Sequence, residues 1–176
     1  MQRLIITGAN GVGKSHLASR LAAVRSDVPV VRFDALKLRT GWAQRPHVAI
    51  EADLLAEIAS DTWILEGGPS LLRLALARAD GLVWLDPPEY LRAWRLARRP
   101  WTSLGKTRPE IPAGNVDWPL QQYRFAMRSL RKGRRFRAEI LDAFEGAAGL
   151  RKWRCRDARS LGPVVDHWAE GASRKA

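Results

Sequence analysis

The sequence predicts an α/β domain in which a parallel sheet is covered by helices on both faces. Two observations carry this. Short apolar runs bounded by Gly, Pro or acidic residues alternate with segments of helical period, and a glycine-rich turn joins the first run directly to the first helix. Strands that alternate with helices need right-handed crossovers, which set the strands parallel and place helices on both faces. Ligands in such folds sit beyond the carboxyl ends of the strands.

Taken in order, Leu4 to Thr7 reads as a buried strand closed by Gly8. From Lys14 onward Leu17, Leu21 and Val24 recur at helical spacing. Val28 to Phe33 is a second strand with Pro29 near its start, where a missing donor is tolerated. Ile50, Leu54, Leu55 and Ile58 mark a helix beginning near Pro46, and Thr62 to Leu65 is a third strand ended by Glu66-Gly67-Gly68-Pro69. Leu71 to Ala79 reads as a short helix, and Leu82 to Asp86 as a fourth strand. Pro87-Pro88 then opens a helix that carries Leu91, Trp94 and Leu96 up to Arg99.

Between 100 and 119 the pattern fails, with four prolines and two glycines, so the span 100–119 is expected to be a lid. A long basic helix runs from Leu120 to Phe144, expected to break near Gly133, with Tyr123, Met127, Leu130 and Phe136 on its inner side. Leu150 to Cys155 is a fifth strand, and a helix over Val164 to Glu170 closes a single domain spanning 1–176.

At 176 residues the chain is long enough to bury a full core without disulfide or metal staples. Cys155 is the sole cysteine, which excludes an internal disulfide and a four-cysteine metal site and suits a reducing cytoplasm. No stretch approaches the roughly 20 apolar residues of a membrane span. The four-residue apolar run after Arg3 is too short for a signal peptide, so the expected location is cytoplasmic. The net charge is +12, from 30 basic and 18 acidic residues. That field attracts polyanions, although 24 of the 30 are arginines, a bias that genome composition also produces.

The segment GANGVGKS fits G-x-x-x-x-G-K-[ST], lying directly after a strand and directly before a helix. Glycines allow a turn whose amides converge on phosphate oxygens, and the helix start adds its positive dipole end. Gly8, Ala9, Asn10, Gly11, Val12, Gly13, Lys14, Ser15 and His16 form the expected nucleotide-binding set, with Lys14 on the β- and γ-phosphates and Ser15 on magnesium. The expected ligand is a purine triphosphate, ATP with Mg²⁺.

Three acids stand at strand ends: Asp34, Glu66 and Asp86. Mg²⁺ on a triphosphate is held by one or two carboxylates, directly or through water. Asp86, before two prolines, is equally placed to cap a helix, and Asp34 to cap the segment after the second strand. Glu66 has less to cap and is assigned to the metal with Ser15. Asp34 is then the base or orienting acid for an acceptor hydroxyl, at the head of an acceptor-binding segment 34–61. Arg92, Arg95 and Arg99 form one helical stripe at the mouth of the expected lid, with Arg108 inside it and Arg124 and Arg128 beyond. Arginine forks suit the charge spread over a moving phosphoryl group, and a solvated basic face is the alternative. Trp63 and Trp84 are core, while Trp94, Trp101 and Trp118 are candidates to stack on a base.

GANGVGKS, FDALKLRTGW, WILEGG, VWLDPPEYLRAWRLARR and the later TRP and WPLQQYRFAMRSLRKGRR together resemble one bacterial group. These are the small P-loop NTPases related to adenylate kinase and labelled DNA topology modulation proteins. The resemblance runs from Arg3 to Asp157. It implies a three-layer P-loop NTPase of nucleotide-kinase type: a five-stranded parallel sheet of order 2-3-1-4-5, a lid after the fourth helix, and MgATP as donor. Gly13, Lys14 and Ser15 match the donor-phosphate site, and Arg95 and Arg99 match the arginines that begin the lid. Glu66 stands where adenylate kinases have the aspartate of an Asp-Gly-Phe-Pro-Arg turn. Here that turn reads Glu-Gly-Gly-Pro-Ser. Ser70 thus removes a positive charge and turns the expectation away from AMP as acceptor.

The expected function is transfer of the γ-phosphoryl group of MgATP to a small acceptor: a nucleotide, a nucleoside or another hydroxyl compound. Lys14, Asp34, Arg95 and Arg99 are its expected catalytic residues. The alternative from another class is a nucleotide-regulated DNA-binding protein using the basic helix 120–137, and a third is a hydrolase without an acceptor. No membrane partner is expected.

Overall fold

The computed structural model describes residues 1–102, Asn115 and residues 118–173. The chain forms strand β1 (Arg3–Thr7), helix α1 (Lys14–Val24), β2 (Val30–Arg32), α2 (Phe33–Lys37), α3 (His47–Glu57), β3 (Trp63–Gly67), α4 (Leu72–Ala75) and β4 (Gly81–Leu85). It continues through α5 (Glu89–Thr102), α6 (Pro119–Gly146), β5 (Arg151–Cys155) and α7 (Gly162–Ser173). Every pairing is parallel, and the sheet order is β2-β3-β1-β4-β5.

Alternation along β1 divides the core in two. Ile5 joins Phe33, Ile50, Leu54, Leu65, Trp84 and Ile140 under α2, α3, α4 and α6. Leu4 and Ile6 join Leu17, Leu21, Val83, Val164 and Trp168 under α1 and α7. The result is the expected three-layer arrangement.

Several boundaries differ from the sequence pattern, each for a physical reason. Strand β2 starts only at Val30, because Pro29 has no amide to give the ladder, and Phe33 already turns into α2. Strand β3 runs on to Gly67 in register with Thr7, so Glu66 lies inside the strand, opposite Ile6. The helix expected over Leu71 to Ala79 is a 3-10 turn, four α-helical residues and a second 3-10 turn.

Two corrections concern the long helices. Helix α5 passes through Pro100 to Thr102, since a proline so near the end removes a donor but leaves less than one further turn to hold. Residues 100–102 and Pro119 of the span expected as a lid are thus helical, in α5 and α6. The remainder of that span, Arg108 included, lies outside the described residues except for Asn115 and Trp118. Helix α6 is continuous over 28 residues, and Gly133 is a packing notch rather than a break. A Cβ there would collide with Arg92 Nη2 and lie 3.2 Å from Glu89 Oε1. The inner stripe of α6 is Gln122, Ala126, Ser129 and Gly133, small or polar residues that accommodate α5 and its buried guanidinium, while Tyr123 and Met127 face outward. No helix among the described residues is long and apolar enough to cross a membrane.

Candidate functional site

The residues between β1 and α1 form a tight loop at the carboxyl end of the central strand. Gly8 has φ 149°, and a Cβ on it would stand 2.6 Å from the Leu85 carbonyl oxygen. Gly13 has φ 103° and sits at the N-cap of α1, where no side chain caps the helix and no acid occupies the first turn. The first amides of α1 therefore have no side-chain acceptor, and their dipole end is left to an anion.

Lys14 is buried and its Nζ donates to the carbonyl oxygens of Gly8 and Ala9, both at 3.1 Å. Burial lowers its pKa, opposed by the negative charges of Asp34 and Glu66. Ser15 Oγ donates to Glu66, 3.0 Å from Oε1 and 3.1 Å from Oε2. Glu66 is 6% exposed, and burial raises its pKa against the pull of Lys14 and the Ser15 hydrogen bond. A hydroxyl and a carboxylate side by side are the oxygen donors that Mg²⁺ takes together with water. Among the described residues no cluster of three or more His, Cys, Asp or Glu exists to hold a metal instead. The pair and the loop fit a magnesium-bound triphosphate.

Two α5 arginines brace the loop. Arg95 Nη1 donates to the Val12 carbonyl at 3.0 Å. Arg92 is almost fully buried; it pairs with Glu89 and lies 3.3 Å from Ser129 Oγ and 3.5 Å from the Asn10 carbonyl oxygen. It is a clamp between α5, α6 and the loop, not part of an open stripe at the site's mouth. Arg99 is half-buried, and its charge acts on Lys14. Asp34 is exposed in the first turn of α2, 3.6 Å from Lys37 Nζ. His16 is exposed on α1.

Asp86, a candidate for the metal or for a helix cap, is engaged by two arginines. Its Oδ2 accepts from Arg154 at 2.6 Å and Arg137 at 3.0 Å, fastening α6 and β5 to the end of β4.

Sequence reasoning missed a contact made by the turn that follows α2. Residues 37–45 fold back on themselves through a Leu38–Gln44 bridge and bonds from Arg39 N to Ala43 O and Arg45 N to Lys37 O. At the tip Trp42 takes φ 62°, a conformation that side chains other than Gly rarely adopt. Asn115, fully buried, accepts from Trp42 N at 2.5 Å and donates to Arg39 O at 3.0 Å. No local pattern announces a partner more than 70 residues away. A separate cavity of about 320 Å³, lined by Met1, Asp80, Arg151, His167, Glu170 and Gly171, lies at the opposite, amino-terminal end of the sheet.

No protein-family model and no curated protein matches the sequence. Solved structures do. TT1252 from Thermus thermophilus superposes with a TM-score of 0.55 at 14% identity, over 98% of this chain and 96% of that one. A gluconokinase from Sinorhizobium meliloti 1021 gives 0.52 at 15%, over 99% and 97%. Shikimate kinase from Acinetobacter baumannii in complex with shikimate gives 0.51 at 14%, over 99% and 95%. At such identities the likeness establishes the fold: a P-loop domain of the nucleotide-kinase type.

Proposed function

We propose that the protein transfers the γ-phosphoryl group of ATP to a hydroxyl of a small acceptor. One observation carries the reading: a buried lysine on loop carbonyls, under an uncapped helix start, beside a Ser–Glu pair whose carboxylate is buried. The loop amides and Lys14 bind the β- and γ-phosphates, Lys14 exchanging the Gly8 and Ala9 carbonyls for phosphate oxygens. Ser15 and Glu66 hold magnesium, which when bound neutralises charge on the phosphate oxygens. Arg95 and Arg99, on the loop-facing side of α5, add positive charge beside Lys14. Segment 34–61 receives the acceptor, and Asp34 accepts its hydroxyl proton as the oxygen–phosphorus bond forms and the β–γ bridge breaks.

Two measurements test this. The Lys14→Ala variant loses ATP binding; unchanged ATP affinity would remove the donor site. A panel of nucleotides, nucleosides and small alcohols, assayed for ADP formation, must contain acceptors that raise turnover above the rate with water. ADP release with water alone would mean a hydrolase.

A second reading, nucleotide-regulated DNA binding through helix 120–137, has an observation in its favour. Arg124, Arg128, Arg131, Lys132 and Arg134 are exposed, and among the described residues none has a carboxylate partner. Genuine binding would weaken steeply with salt and respond to charge reversal at Arg131, Arg134 and Arg135.

A further inference from the structure

Tryptophan is usually buried when a domain has a core to take it. Of the eight tryptophans here, Trp63, Trp84 and Trp168 are fully enclosed, yet Trp94 is 56%, Trp101 75% and Trp118 59% exposed. All three exposed rings lie on α5 or immediately before α6. Along α5, Tyr90, Trp94, Arg98 and Trp101 fall at steps of four, four and three, one stripe on the side away from the phosphate loop. Along α6, Tyr123, Met127, Arg131 and Arg134 form a second stripe by the same spacing. Trp101 Nε1 donates to Tyr123 Oη at 2.8 Å, so the two stripes adjoin. Arg98 already stands over the Trp94 ring, 5.3 Å from its centroid. The face is therefore a row of flat rings edged by α6 arginines that have no carboxylate partner among the described residues.

We infer that this α5–α6 face binds single-stranded nucleic acid, the bases stacking on Trp94 and Trp101 while the backbone phosphates run along Arg98, Arg131 and Arg134. The inference rests on the second reading above and narrows it to unpaired strands. Rings interleaved with cations suit unpaired bases, because every base offers a π-face and every nucleotide a phosphate. A duplex keeps its bases stacked inside and would leave the rings idle. An acidic bilayer wants a continuous apolar face beneath the cations. Here Arg98 falls within the ring stripe of α5, and Arg131 and Arg134 within the stripe of Tyr123 and Met127 on α6, so cations interrupt the apolar face instead of bordering it.

Fluorescence anisotropy of labelled oligo(dT) tests this on the full chain, beside a duplex of equal length and phosphatidylserine vesicles. The expected result is tighter binding of oligo(dT) than of the duplex, with quenching of tryptophan emission. Trp94→Ala should weaken oligo(dT) binding by about 5- to 150-fold, the range for losing one stacked base. Arg131→Glu with Arg134→Glu should flatten the salt dependence. Because Trp94 is exposed, the variant is expected to keep the wild-type circular dichroism and ATP affinity, which separates a lost surface from a lost fold. Equal binding of duplex and oligo(dT), with Trp94→Ala indifferent, would overturn the inference and leave the DNA-binding reading standing. Binding to vesicles alone would overturn both, as would no binding to any of the three.

Discussion

Replacing Gly133 by alanine sets two well-measured effects against each other, and the structure decides which wins. In an ordinary helix interior the change stabilises by about 0.8–1.0 kcal/mol, since glycine is the poorer helix former. Here the new methyl would occupy the space of Arg92 Nη2 and crowd Glu89 Oε1 at 3.2 Å. Arg92 is 2% exposed, so its guanidinium has no solvated alternative close by. Displacing it loses its bonds to Glu89 and to Ser129, or else forces α6 away from α5. Hydrogen bonds to charged groups contribute about 1.5–3 kcal/mol each. The Glu89 partner is 66% exposed and is discounted toward the surface-pair range. Setting about 2–4 kcal/mol lost against about 1 gained leaves a net destabilisation of about 1–3 kcal/mol. Urea unfolding reads this as a lowered midpoint at unchanged slope, and a thermal scan as a drop of roughly 2–4 °C per kcal/mol. A variant more stable than wild type by about 1 kcal/mol would refute the clamp, showing Gly133 to be an ordinary helix glycine.

Glu66→Gln should stabilise the ligand-free fold while weakening magnesium-dependent nucleotide binding. Burial raises the Glu66 carboxyl above its usual 4.5, so the native protein loses stability as pH rises through that window; the variant escapes this loss, and the two should converge in urea titrations well below pH 4.5. Asp86→Ala leaves Arg137 and Arg154 facing each other without their shared carboxylate. It should cost about 1–3 kcal/mol, less than a fully buried pair because both arginines are partly exposed, with the magnesium dependence of binding unchanged. Asn115→Ala should raise the acceptor KM several-fold at unaltered ATP affinity, because it frees the Arg39–Trp42 turn; an unchanged KM would show that this turn does not touch the acceptor.

The parts of this protein legible in its sequence are those written within a few residues of each other. Thr7, the loop glycines and Leu17 to Leu21 declare strand, turn and helix in one short stretch, so this strand–loop–helix unit reads directly. Glu66, expected just past the third strand, lies one residue inside its end and still meets Ser15 at 3.0 Å. The hidden parts depend on which helix lies against which. Gly133 looks like a break until Arg92 is known to need its space. Asp86 looks like a cap until Arg137 and Arg154 arrive from 51 and 68 residues away. Tyr123 and Met127 have the spacing of an inner face, but the neighbouring α5 comes too close for large side chains and takes the small stripe instead. Periodicity gives a helix its faces; only packing says which one is inside.

Helix α5 lies between the loop after β1 and the exposed aromatic face. Its inner side carries Arg95 on the Val12 carbonyl and Arg92 beside the Asn10 carbonyl, so the phosphate loop is bonded to it at two points. Its outer side carries Trp94 and Trp101, and through Tyr123 it is bonded to α6 as well. Under the proposed function, filling the loop would change the charge seen by Arg95 and withdraw Lys14 from its carbonyls, and a resulting shift of α5 would be felt by the exposed rings on its far side. Such coupling is reciprocal for equilibrium binding. If ATP changes the affinity for oligo(dT) by some factor, oligo(dT) must change the affinity for ATP by the same factor. A change in one with none in the other would therefore show that the two measurements report different states of the protein. No change in either would mean that the two faces of α5 work independently.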